Sequence, residues 1–161
     1  MTTREARSEI RDGMRVDWDV PVTMDDGIVL RADVFRPPRQ GRHPVILSYG
    51  PYAKGLAFQD GYPSAWERMV EKHPDVAAGS SNKYQNWEVV DPEKWVPDGY
   101  ACVRVDSRGT GRSPGTIDHF SPRETTNNWS MSTFGLPRKP QVSSSSRERS
   151  QSKPCSRCPM S

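Results

Sequence analysis

Two short apolar runs constrain this chain most. One is Val45-Ile46-Leu47-Ser48-Tyr49, opened by Pro44 and stopped by Gly50-Pro51; the other is Tyr100-Ala101-Cys102-Val103-Arg104-Val105, ended by Asp106. Neither alternates apolar with polar residues, so each suits a strand covered on both faces. Two helix signals lie between them. Ser64 to Lys72 opens on a candidate N-cap with Glu67 three residues on, a capping-box pattern. Asp91-Pro92-Glu93 gives an N-cap, a first-turn proline and an acid, with Gly99 as the stop. Strand, helix, strand in this order predicts a β-α-β unit with parallel strands and a right-handed crossover. Residues 53–63 read as loop, and residues 73–90 as a polar, irregular insertion.

Upstream, Val16, Trp18 and Val20 alternate with polar neighbours, and Ile28, Leu30, Ala32 and Val34 do so again. Asp26-Gly27 stands between the two runs, a strong local cue for a hairpin because glycine tolerates positive φ. Pro37-Pro38 ends the second strand. Residues 1–14 are charged and aperiodic and read as a flexible arm. The net charge of +3 hides a split: residues 127–161 carry +5 and ten of their 35 residues are serine, while residues 1–126 carry −2. The expected organisation is therefore an arm (1–14), an α/β domain (15–126) and a disordered Ser/Arg-rich tail (127–161).

Composition excludes some classes. No apolar run reaches the ~18 residues of a membrane helix. The first residues, MTTREARSEIRDGMR, have no apolar signal core. Cys102, Cys155 and Cys158 do not form a disulfide framework, so a reducing, cytoplasmic setting is expected. Cys155-Ser156-Arg157-Cys158 is a single C-x-x-C pair, half of a structural zinc site. The ending Cys158-Pro159-Met160-Ser161 formally fits a prenylation box, a short match that arises by chance. The basic tail could touch phosphates, but Trp129 and Phe134 are its only aromatics for base stacking, which weighs against nucleic acid.

Gly111-Arg112-Ser113-Pro114-Gly115 fits the G-x-S-x-G of serine-hydrolase nucleophile elbows, but the physics is wrong. The elbow sits on a sharp strand-to-helix turn, and here the strand ends near Val105 with no helix pattern at Pro114. The residue after the nucleophile also donates its backbone N–H to the oxyanion, and Pro114 has none. Ser113 therefore reads as part of a structural loop with Asp106, Arg108, Gly109 and Gly111. There the carboxylate and guanidinium tie the loop to neighbouring backbone and the glycines let it turn. His43 and His73 each precede a proline in a loop, and a triad from His119, near the Ser113 loop, would need an acid to orient it and a usable nucleophile.

Three features in sequence order carry a resemblance: the Met24-Asp25-Asp26-Gly27-Ile28-Val29-Leu30-Arg31-Ala32-Asp33 hairpin, Ser48-Tyr49-Gly50-Pro51-Tyr52-Ala53-Lys54 after a buried strand, and Asp106-x-Arg108-Gly109-x-Gly111-x-Ser113 after the next. Together they resemble the N-terminal part of the X-prolyl dipeptidyl-peptidase and cocaine-esterase-like family of α/β-hydrolases, over roughly residues 16–126. The resemblance implies a β-hairpin plus β-α-β portion of an α/β-hydrolase sheet. It also implies hydrolysis of small esters or peptides through a Ser-His-Asp triad, with no cofactor and no metal. Tyr52 resembles the family tyrosine whose hydroxyl stabilises the tetrahedral oxyanion; from its position alone it is equally a loop tyrosine packed on the sheet edge. Lys54 either closes the Tyr52 loop through a salt bridge or is solvated.

The family's nucleophile elbow and its triad Asp and His have no matching positions here. The expectation is a family member that is inactive as this chain, with a frame shift or splice change near codon 126 as the source of the tail. The alternative is a non-catalytic interaction fragment that pairs with a full-length relative. It would use an open sheet edge presenting Ala101-Cys102-Val103-Arg104-Val105. With two-sided strands incompletely covered, the chain is expected to be marginally stable.

Overall fold

A computed structural model describes residues 6–52, 54–119 and 121–122. The 127–161 tail, with Cys155 and Cys158, lies outside the described residues. The elements are β1 (Arg7–Arg11), β2 (Met14–Thr23), β3 (Val29–Arg36), β4 (Val45–Gly50), α1 (Phe58–Gly61), α2 (Pro63–Lys72), a 3-10 turn (Pro74–Val76), α3 (Pro92–Trp95) and β5 (Ala101–Asp106). The five strands form one sheet in the order β1-β2-β3-β5-β4. β4 and β5 are parallel, and the remaining neighbours are antiparallel. The expected hairpin and β-α-β unit of an α/β fold are both present.

The β2–β3 hairpin turns at residues 24–28, with Gly27 at φ +83° and its N–H donating to the Met24 carbonyl (3.0 Å). A bulge between Asp17 and Val20 then switches the strand's faces. Before it, Met14 and Val16 pack with Phe35, Cys102, Tyr84 and Val96 on one face of the sheet. After it, Val22 packs with Leu30, Ala32, Val103 and Val105 on the other. Each such burial is worth about 1.5–3 kcal/mol. All six residues of β5 are buried, as its unbroken apolar run predicts.

Four expectations need correction. The flexible arm is a strand over Arg7–Arg11: its backbone pairs with β2, which requires no apolar side chains, and its exposed charges suit a sheet edge. Among the described residues the open edge beyond the crossover is β4, not 101–105. β5 inserts between β3 and β4, so the earlier of the two parallel strands is left outermost. Residues 58–61 are helical rather than loop. α2 starts at Pro63 with Tyr62 as its cap and no side-chain cap bond; proline's fixed φ starts the helix, leaving Ser64 inside its first turn. The second helix signal holds at its start, where the Asp91 carboxylate accepts the Glu93 N–H (3.0 Å), but the helix ends earlier than Gly99, at Trp95 with Val96 as its C-cap.

Candidate functional site

The parallel pair ends with its two C-termini side by side, Gly50 opposite Asp106, and two loops leave from there. In α/β sheets the crevice outside these ends is where ligands bind. Tyr52 is the second residue past β4, 43% exposed, on the rim of a cavity of about 720 Å³. Tyr49, Trp87, Arg104 and His119 also line that cavity. Trp87 reaches it from the polar insertion, braced by Phe58 (4.8 Å, edge-on) and Tyr62 (4.7 Å). The sequence pattern of the insertion gave no sign of this contribution.

The Tyr52 loop is anchored at Lys54. Its ammonium is 6% exposed and bonds Asp19 Oδ1 (2.7 Å) and Asp33 Oδ1 (2.8 Å), so the salt-bridged alternative is the one found. Its backbone N–H donates to Asp106 Oδ1 (2.8 Å). The other oxygen of Asp106 accepts the Arg112 N–H (2.9 Å), so one carboxylate clasps both loops. The Arg112 guanidinium pairs with Asp19 in turn. Asp19 and Asp33 were not singled out by sequence. In a period-two reading Asp19 falls on the polar face of β2, and the bulge turns it inward at φ +55°.

Two carboxylates thus share one buried ammonium. Burial penalises the Asp19 carboxylate, but Lys54 and Arg112 outweigh that and hold its pKa below the ordinary value. At Asp33 burial dominates, and Lys54 only partly offsets it, so its pKa is raised.

The glycine loop is built around the same hub. Gly109 and Gly111 take φ +70° and +50°. A Cβ at Gly109 would lie 2.6 Å from the Ile117 nitrogen, and one at Gly111 would run into the Asp106 carboxylate. Ser113 Oγ donates to the Asp106 carbonyl (2.7 Å) and accepts the Arg31 N–H (2.9 Å). That buried hydroxyl is occupied by the backbone of two elements. Arg108 departs from the expectation: among the described residues it binds no backbone but grips the hairpin-turn carboxylate of Asp26 with both terminal nitrogens (2.7 and 3.1 Å).

His43 Nδ1 lies 3.1 Å from the Gly99 carbonyl, and His73 caps the end of α2. Among the described residues no group of three or more His, Cys, Asp or Glu could hold a metal ion, and no helix is long and apolar enough to cross a membrane. The Cys102 thiol is buried, which pushes its pKa up to about 11, far from a reactive thiolate.

Residues 26–132 match the family described as X-Pro dipeptidyl-peptidase (S15 family). The chain is 32% identical over 115 residues to the cocaine esterase of Rhodococcus sp. (strain MB1 Bresler), covering 69% of this chain and 16% of that protein. Its fold is similar to a CocE/NonD family hydrolase from Staphylococcus aureus, whose crystal structure gives a TM-score of 0.55 and 31% identity over 69% of this chain and 18% of that one. A second crystal structure of that hydrolase gives a TM-score of 0.54. The chain therefore spans less than a fifth of the length of these relatives.

Proposed function

The chain belongs to the X-Pro dipeptidyl-peptidase (S15) family of serine hydrolases, and from that premise we propose that it supplies the oxyanion-stabilising part of a site for ester or amide hydrolysis. Acyl transfer places negative charge on the carbonyl oxygen when a serine attacks. A phenol O–H held at that point donates to the oxygen as the charge grows. The observation that carries this reading is Tyr52: exposed on the cavity rim, two residues past β4, in a loop pinned on its far side by Lys54. Small esters and peptides are the expected substrates, and no cofactor or metal enters the chemistry.

The 161 residues alone are proposed to lack turnover. Covalent catalysis needs a serine activated by a base that a third group orients. Ser113 Oγ is held by Asp106 and Arg31 backbone instead, and the described residues assemble no such triad. The S. aureus hydrolase provides the test: its matching segment is replaced by residues 26–119 of this chain. The chimera is expected to hydrolyse p-nitrophenyl acetate. Tyr52→Phe in it should lower kcat by about 10²–10³, with little change in KM, the scale of one lost oxyanion donor. An unchanged kcat would overturn the role of Tyr52. Turnover by the isolated chain that Ser113→Ala abolishes would overturn its inactivity.

A further inference from the structure

Arg104 is a buried cation that the oxyanion reading does not use. It is 3% exposed, in the middle of β5, and among the residues lining the cavity that Tyr52 rims. Two of its nitrogens are engaged, one with Asn86 Oδ1 (3.0 Å) and one with the Val90 carbonyl (2.8 Å), both neutral acceptors. Its Nε is buried with no acceptor among the described residues. Its guanidinium carbon stands 5.2 Å over the Phe35 ring. Among the described residues no carboxylate lies within ion-pair distance of it. Asp33 and Asp91 act on it only from farther away, and the cross-strand Asp33 carboxylate is committed to Lys54.

A charge removed from water is costly unless it is paired and its donors are met. Here the pairing is incomplete at a cavity wall. Burial accordingly lowers the Arg104 pKa to about 10, which still leaves the group cationic at neutral pH.

We propose that Arg104 forms the floor of an anion seat in this cavity, and that its ligand is a small carboxylate. The proposal rests on the hydrolase reading for its choice of anion, because cleavage of an ester or amide by water yields a carboxylic acid, ionised at neutral pH. Two sources share this chemistry: the acid product itself, or a substrate that carries a free carboxylate beside its scissile ester. Asn86 orients the guanidinium through its Oδ1, leaving the orphaned side of the fork for the incoming oxygen. Glu88, exposed among the cavity residues, opposes any incoming anion and keeps the expected affinity weak.

The test uses the ¹⁵N-labelled full chain and three probes: acetate, monomethyl succinate and dimethyl succinate. Acetate and monomethyl succinate should shift the Arg104 Nε–H resonance saturably in the millimolar range and raise Tm with concentration, while the neutral diester does neither. Tighter binding of acetate would identify the product as the occupant, and tighter binding of the monoester a carboxylate-bearing substrate. Arg104→Gln should weaken both anions about ten-fold or more, the scale of one lost charge-assisted hydrogen bond, and Arg104→Lys less. Tyr52→Phe should leave both affinities intact, so loss of oxyanion function and loss of the seat are separable. Equal shifts from the neutral diester, no saturable shift from either anion, or anion binding lost in Tyr52→Phe but kept in Arg104→Gln would each overturn the proposal.

Discussion

Lys54 serves two carboxylates with one ammonium, and the two respond to pH in opposite directions. Asp33 has a raised folded pKa. Folding therefore favours its protonated form, and the stability this gives is full below the ordinary value of 3.8 and is lost as pH rises through the raised one. Asp19 has a lowered folded pKa. Its contribution is present above 3.8 and is lost as pH falls towards the lowered value. The expected wild-type profile is therefore shallow around pH 4, with the two slopes opposed. Asp33→Asn keeps an acceptor for the Asp19 N–H, which now donates to Asp33 Oδ1 at 2.9 Å. It should remove the loss on the alkaline side and leave a plain acid-side decline. Asp19→Asn should do the reverse. Urea unfolding from pH 2.5 to 7 reads both; parallel profiles for the two variants would refute the shared-ammonium account. Sequence placed Tyr52 and Lys54 beside each other at the end of a strand, because a strand's end can be read from where its apolar run stops. It could not supply Lys54's partners. Asp19 reaches it only through a bulge, and a bulge changes the backbone count between strands without leaving a mark in composition.

At the scale of elements, the two hairpins carry the same dipeptide in different surroundings. Asp26-Gly27 stands between two alternating runs, which makes that hairpin legible. Asp12-Gly13 carries the same dipeptide, but Arg7 to Arg11 shows no apolar alternation beside it. The structure makes it a two-residue turn with both central φ values positive, +48° and +75°, joining Arg11 to Met14. The Asp12 carboxylate is then held by the Tyr84 hydroxyl (2.5 Å) and Lys83 Nζ (3.0 Å) from the insertion. Nothing lies within 4 Å of where a Gly13 Cβ would be, so Gly13→Ala meets only the left-handed backbone cost of about 1–2 kcal/mol. That is expected to speed amide exchange across Arg7–Arg11 by about 5–30-fold while leaving β5 protected. Equal acceleration in β5 would mean that β1 and the central sheet open as one unit.

Over the whole molecule the decisive fact is which strand ends the sheet. The crossover places β5 between β3 and β4, where two neighbours satisfy its backbone and all six residues are buried. β4 is apolar in sequence yet outermost, with its residues half-covered and Leu47 42% exposed. The sequence marks both runs as two-sided strands, and the expectation that 101–105 forms the open edge reverses their order, because apolar content reports burial and not position within a sheet. A chain spanning less than a fifth of its relatives thus presents, among its described residues, a hydrophobic strand with one row of backbone groups open. The expected consequence is low stability coupled to association. The urea midpoint should fall below ~2 M, since so little apolar surface is shielded at this edge. It should rise with protein concentration as edges pair. Leu47→Lys puts a charge on that edge at a side chain that contributes little to the core. It should abolish the concentration dependence in sedimentation velocity while leaving the dilute-limit midpoint nearly unchanged. A midpoint well above 2 M that is independent of concentration would show that the five-stranded sheet is self-sufficient with β4 at its edge.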